Sequence, residues 1–323
     1  MSTTTTILPP PVQQKFSAKL LATPQARLIH GMAAIPYEME ENSGDILRMR
    51  RYTRLNTAPV PLGPAMLNPP VQTLTAVDID ARIDWYATYI LITKQVTLIN
   101  QDPVLNEAAA RLGQSLRETE DQLIRDMLAG TASVVNCVNG VNGDNPTEIT
   151  RADVDGVVAT LQGNDGDFIA NMIEGEDKFG TGPVRDSYFA MCDTGMIGQL
   201  EAANGFINKA QYPNQANVSP SEWGSIGNAR FFISSRGSIT VAASLLGADI
   251  YNVFVTAQDA YAKIEQNGVS AKFIYHPPGH GDDPAELRQT AAWRMAQVPR
   301  IEDVVLVKSL LIDSEPYVML EAA

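Results

Sequence analysis

The stretch PVLNEAAARLGQSLRETEDQLIRDMLA, Pro103 to Ala129, decides how the rest of the chain is read. Asp102 stands where an N-cap is wanted, and Pro103 suits the first helical position, where its missing N–H costs nothing. Gly130 can end the helix in the left-handed region. Leu105, Leu112, Leu116, Leu123 and Met127 fall at offsets 0, 7, 11, 18 and 22, which at about 100° per residue keeps each within roughly 40° of Leu105. The spacing predicts one helix over 103–129 with a narrow apolar stripe as its core face, about 40 Å long at about 1.5 Å per residue. An element of that length is a beam on which other layers pack.

Upstream lies an extended hairpin, Gly44 to Ile92. DILRMRRYTR (Asp45 to Arg54) is followed by a tip containing Pro59, Pro61, Pro64, Pro69 and Pro70. After the tip, Val77, Ile79, Ala81, Ile83, Trp85, Ala87 and Tyr89 alternate with Asp78, Asp80, Arg82, Asp84, Tyr86 and Thr88, the period of two of a half-buried strand. A two-stranded hairpin standing alone is marginal in water, so its apolar face is expected to reach a neighbouring surface, another copy of the chain. Contacts between subunits are expected at Ile79, Ile83 and Trp85, with Arg48, Arg50 and Arg51 beside them. Those arginines read either as a polyanion patch or, given the interleaved aspartates, as the ion-paired face of a strand; the second reading is favoured.

Residues 1–43 carry Pro9 to Pro11, Pro24 and Pro36 among scattered apolar residues such as Phe16, Leu20, Leu21, Leu28 and Ile29, an arm that cannot build its own core and must dock. Beyond the beam, the Gly- and Asn-rich connection 131–149 leads to Thr150 and Asp153, a capping-box pattern, with Val154, Val157, Val158 and Leu161 at helical spacing. DSYFAMC (Asp186 to Cys192) reads as a buried strand and Thr194 to Leu200 as a short helix, while 201–229 reads as irregular. Strands are expected at Ala229 to Ser234, Tyr251 to Thr256, Tyr261 to Glu265, Ala271 to Tyr275, Thr290 to Gln297 and Val304 to Leu311.

The chain has 323 residues and a net charge of −13, unevenly spread. Residues 1–54 hold Lys15, Lys19, Arg27, Arg48, Arg50, Arg51 and Arg54 against only Glu38, Glu40, Glu41 and Asp45. A chain this acidic is a poor candidate for binding nucleic acid over its whole surface, and any polyanion contact is to be sought near the N-terminus. Cys137 and Cys192 form no C-x-x-C pair, which argues against a disulfide framework or zinc site and fits a reducing cytoplasm. Neither a signal peptide nor an apolar run of membrane-spanning length is present, so no membrane partner is expected.

Catalytic patterns are weak. His276 and His280 are four apart, but Pro277, Pro278 and Gly279 between them preclude a helix, leaving only a loop arrangement with Asp282 and Asp283 for a metal. There is no G-x-S-x-G, no Walker A and no G-x-G-x-x-G after a strand, so neither an enzyme nor a cofactor is expected. A metal-dependent hydrolase using His276, His280 and Asp282 is the alternative from another class, and a baseplate or tail structural protein is a third.

The order of elements resembles the major capsid proteins of tailed double-stranded DNA phages, an α+β chain with the Hong Kong 97 fold. TTTTILPPPVQQ (Thr3 to Gln14), LRMRRY (Leu47 to Tyr52), NQDPVLNE (Asn100 to Glu107), NGVNGDNPTEITRADVD (Asn139 to Asp155) and EGEDKFGTGPVR (Glu174 to Arg185) are similar to the N4-like podophage members. The resemblance implies hexamers and pentamers of this chain forming an icosahedral head around DNA, made in the host cytoplasm and found in the virion. It also implies an N-terminal arm (1–43), an extension-loop hairpin (44–92), a peripheral domain (93–144) with its spine helix, an axial domain (145–286) and C-terminal strands (287–323) returning to the peripheral domain. Portal, scaffolding and decoration proteins are the implied partners beside other copies, with DNA held non-specifically at the inner surface. No long acidic helical leader precedes the arm, so an attached scaffold is not expected.

Overall fold

The computed structural model describes residues 25–40, 43–52, 55–58, 71–99, 104–130, 134–141, 146–172, 184–213, 218–241, 249–266, 271–300 and 317–322. Asp102, Pro103, Lys15, Lys19, Arg54, the prolines of the hairpin tip and the expected strand Val304 to Leu311 lie outside them, as do the side chains of Ile79 and Arg51. In chain order the elements are β1 (Ile35–Met39), β2 (Ile46–Tyr52), β3 (Ala76–Arg82), β4 (Asp84–Thr93), α1 (Lys94–Ile99), α2 (Val104–Gly130), β5 (Val134–Asn136) and α3 (Arg151–Gly163). There follow β6 (Tyr188–Asp193), α4 (Ile197–Ala202), β7 (Phe206–Asn208), β8 (Glu222–Ile226), β9 (Ala229–Ser234), β10 (Ser238–Thr240), β11 (Ile250–Thr256), β12 (Ala262–Gln266), β13 (Lys272–His276), β14 (Arg288–Arg300) and β15 (Tyr317–Ala322).

Two sheets and a hairpin organise these elements. Sheet I is centred on the 13-residue β14, which pairs with β4 along one edge and with β13 and then β12 along the other, while β1 adds in parallel to β12. Sheet II runs β5-β15-β11-β6-β9-β8-β7, with β10 also on β11. β2 and β3 form the hairpin.

Sheet II is buried on both faces, as alternation along its central strands requires. Ala190 and Cys192 of β6, Phe231 and Ile233 of β9, and Val253 and Val255 of β11 pack under Val154, Val157, Val158 and Leu161 of α3. Met191, Phe232 and Phe254, one residue out of phase, face Ile124 and Leu128 of α2 with Ile29 and Tyr261. α3 begins as the Thr150 pattern predicts: the Thr150 N–H donates to Asp153 Oδ2 at 2.9 Å, and the other oxygen accepts from the N–H groups of Val138 and Gly140. One buried aspartate thereby starts the helix and ties down the preceding turn.

α2 serves both sheets. Leu112 packs with Ala291, Trp293 and Met295 of β14, and the half-buried Leu116 and Leu123 flank it. Leu105 is half-buried and Met127 packs beside the second cluster. Asp121, Ile124 and Leu128 lie about 100–160° around the helix from Leu105 and are buried by sheet II and by residues 25–34. The helix thus buries two stripes rather than the single one expected. Gly130 is its last helical residue rather than a left-handed cap, being absent from the positive-φ glycines.

Several boundaries differ from expectation. β12 and β13 join sheet I with β14, not the 145–286 unit, and β15 pairs with β11 and β5 in sheet II rather than returning to sheet I. β7 and β8 lie in the segment read as irregular: EWGSI hides a strand because Glu222 and Ser225 are polar yet buried. The arm is docked from Gln25 onward, with Ile29 wholly buried and β1 paired in sheet I.

Candidate functional site

The hairpin carries a ladder of ion pairs on one face. Arg48 binds Asp80 through two hydrogen bonds of 2.6 and 2.7 Å, and Arg50 binds Asp78 through two of 2.7 and 3.1 Å, both across the strand pair. Arg82 reaches Asp45 at 3.1 Å. The side-chain hydrogen bonds from Arg50 and Arg48 hold the Asp78 and Asp80 carboxyls below their ordinary value of 3.8, and the same bonds raise both arginines. These guanidiniums are therefore engaged within the hairpin rather than open to a polyanion.

A group with a lowered acid pKa contributes order that is complete above its unfolded value and lost as pH falls through the folded one. Amide protection across β2 and β3, normalised to that of β9, is accordingly expected to be complete above the ordinary carboxyl range and to fall as the pH drops below it, through the lowered range of Asp78 and Asp80. In the Asp78→Asn, Asp80→Asn double variant it should show no such step. A step of equal size in that variant would remove the ladder as its cause.

The apolar alternation changes phase at Ile83. Before it, Ala81 and Ile83 point inward, at 0% and 4% exposure. After it, Tyr86, Ile90 and Ile92 turn inward while Trp85, Tyr89 and Leu91 stand at 57%, 70% and 50% exposure. The cause is an exchange of partners: the Ile83 N–H donates to the Asp45 carbonyl, closing the β2–β3 pairing, and from Asp84 the chain pairs with β14 instead. Ile83, expected at a subunit contact, is instead buried in its own chain with Met39, Ala81, Ala262, Ile264, Ala296 and Val298.

Sheet I therefore has one face under α2 and an opposite face divided in two. At the β12 end, Ala296 and Val298 are covered by the root of the hairpin, with Leu47 and Met49 packed alongside. At the β4 end, Trp85, Tyr89 and Leu91, directly opposite Ala296, Ala292 and Thr290, are bare. Ile274 of β13 shares this face by its register with Ala292, and the Arg294 guanidinium lies over the Trp85 ring at 5.7 Å. β4 is also an edge strand among the described residues, ten residues long with Asp84 its only charge. Natural sheets blunt such edges or cover them. Further along the hairpin, Leu55, Val71 and Leu74 are exposed at 48%, 93% and 61%.

The loop singled out for metal chemistry is built otherwise. The His276 and His280 rings stack at 4.2 Å between centroids. Asp283, rather than Asp282, is turned inward and accepts from the N–H groups of Arg288, Leu287 and Gly279 at 2.8, 3.1 and 3.3 Å, which lowers its pKa. Its oxygens are occupied in shaping the turn into β14. Among the described residues no group of three or more His, Cys, Asp or Glu is placed to hold a metal, and no helix is long and apolar enough to cross a membrane. Cys192 is fully buried and burial pushes its thiol pKa up, away from nucleophilic use.

Two sheets sharing one long helix, with a hairpin rooted on the outer face of sheet I, make the Hong Kong 97-type capsid fold. The chain belongs to the phage capsid protein family, whose model matches residues 76–270. It is a major capsid protein, a subunit of the shell. The capsid of Ralstonia phage GP4 superposes with a TM-score of 0.65 at 13% identity, covering 100% of this chain and 98% of that one. The cyanophage Pam1 capsid gives 0.64 at 14% identity over 97% and 96% of the two chains, and that of cyanophage P-SCSP1u 0.63 at 13% over 96% and 93%. At such identities the likeness is one of fold. No curated protein matches the sequence.

Proposed function

We propose that copies of this chain assemble into hexameric and pentameric capsomers of an icosahedral head around double-stranded DNA, in a purely structural role without catalysis. The observation that carries this is the divided outer face of sheet I: one half is covered by the chain's own hairpin root, and the other, bearing Trp85, Tyr89 and Leu91, is equally apolar and bare. The distal hairpin, with Leu55, Val71 and Leu74, is the complementary element, an extension loop lying over an adjacent subunit, with Arg48, Arg50 and Arg51 on its strand. Repetition of such modest apolar contacts through a closed lattice gives a rigid shell.

The peripheral part is α2 with sheet I, and the axial part is α3 with most of sheet II. The stretches at Thr3 to Gln14 and Glu174 to Arg185 support the N4-like podophage type. Portal, scaffolding and decoration proteins remain the partners the family implies. Packaged DNA meets an acidic protein that tolerates it more than binds it, and assembly takes place in the host cytoplasm. Electron microscopy of the chain expressed alone, or with a scaffolding partner, is expected to show capsomers and closed shells. Finding only a stable monomer under both conditions would refute the assignment.

A further inference from the structure

Residues 25–34 run as a strap across α2 before entering β1. The strap is tied to sheet II at its start: the Arg27 carbonyl accepts from Ser234 Oγ, and the Arg27 guanidinium donates to the Pro220 carbonyl. Ile29 is then buried among Ile124, Leu128, Phe254 and Tyr261. His30 comes next, at 0% exposure. Its N–H donates to Asp121 Oδ1 at 2.9 Å and its ring Nδ1 to Oδ2 at 2.8 Å, while its carbonyl accepts from the Tyr261 hydroxyl. The ring meets the Phe254 ring edge-on at 6.0 Å, and Nε2 is buried with no hydrogen-bond partner among the described residues.

Two leucines would need no buried carboxylate and no ring nitrogen there, at the cost only of the acceptor for the main-chain N–H of residue 30. Buried polar pairs are a poor source of stability, and their best-attested use is to fix which residue lies opposite which. His30 suits that use. One residue presents two donors, one on the main chain and one on the ring, to both oxygens of one carboxylate. A slip of one position along α2 would bring Ile29 or Gly31 to Asp121, and neither has a side-chain donor.

We propose that the His30–Asp121 pair is a registration lock. It sets the residue at which the strap crosses α2, and so the register in which the chain enters β1 at the edge of sheet I and continues into the hairpin. His30 and Asp121 are then positioning residues for shell assembly, a role that rests on the capsid reading above.

The test compares wild type with the His30→Leu, Asp121→Leu double variant, using His30→Asn as the conservative control because its amide keeps a side-chain donor near the place of Nδ1. The double variant is expected to hold its thermal midpoint within a few degrees, yet to be cut by trypsin after Arg27 at least tenfold faster and to give at least tenfold fewer regular shells. His30→Asn should recover most of both. Trypsin cleavage and assembly at wild-type levels in the double variant would overturn the lock, and so would an unfolded double variant, which would make the pair a folding element. Because cleavage after Arg27 is read on the free subunit, failure of the wild type to form shells would strike the capsid reading and leave the lock to be judged by proteolysis.

Discussion

Phe254→Ala is expected to lower the subunit's unfolding free energy by about 3–5 kcal/mol, a large part of the roughly 5–15 kcal/mol a folded domain possesses. Phe254 is wholly buried on the central strand β11, on the face of sheet II turned toward α2. Truncation would open a cavity between Ile124 and Leu128 of the helix and Ile29 and Tyr261 of the strap and its neighbour, and would remove the edge contact to His30. Little collapse can follow, because strand pairing on both sides of β11 fixes the backbone. Urea unfolding followed by far-UV circular dichroism measures the loss from the midpoint at unchanged slope. A change under about 1 kcal/mol would mean that this face of the sheet is not sandwiched.

The second large effect separates two residues that stand two apart in what looks like one apolar stripe. Ile83→Asp places a carboxylate inside the cluster of Met39, Ala81, Ala262 and Ile264, and the subunit should be unfolded or insoluble, since an unpaired buried charge has no compensation there. Trp85→Asp should leave the subunit's stability within about 0.5–1 kcal/mol of the parent, because the ring is 57% exposed and its described contact is with the Arg294 guanidinium. Shell formation should nonetheless fall at least tenfold. Circular dichroism of the purified subunits, with sedimentation of assembly products, gives both readings. Normal shells from Trp85→Asp would remove the bare face of sheet I from the assembly interface.

Why these two residues part company was not legible in the sequence. DWYATYILIT has apolar or aromatic residues on both faces of the strand, Trp85 and Tyr89 on one and Tyr86 and Ile90 on the other. Periodicity alone therefore cannot decide which set is inward; the exchange of partner from β2 to β14 decides it, and that is a tertiary fact. The beam was legible because leucines at heptad-like spacing mark one face along most of its 27 residues. Its second buried stripe was not, because Ile124 and Leu128 are joined there by Asp121, whose burial depends on a histidine 91 residues away. β6, β9 and β11 were readable from runs such as YFAMC, RFFIS and YNVFV. β1, with Pro36 in it, and β8, with Glu222, Gly224 and Ser225, were disguised by residues that strand propensity disfavours.

The division of α2 between the two sheets bears on cooperativity. Leu112 belongs to the interior of sheet I, and Ile124 and Leu128 to that of sheet II, so neither interior is complete without the helix. Melting α2 would expose both at once, leaving no boundary across which half the subunit could loosen while the other half stayed native. Changes of subunit shape demanded by different positions in a curved lattice must then be met by tilting intact layers over an unbroken helix, not by partial unfolding.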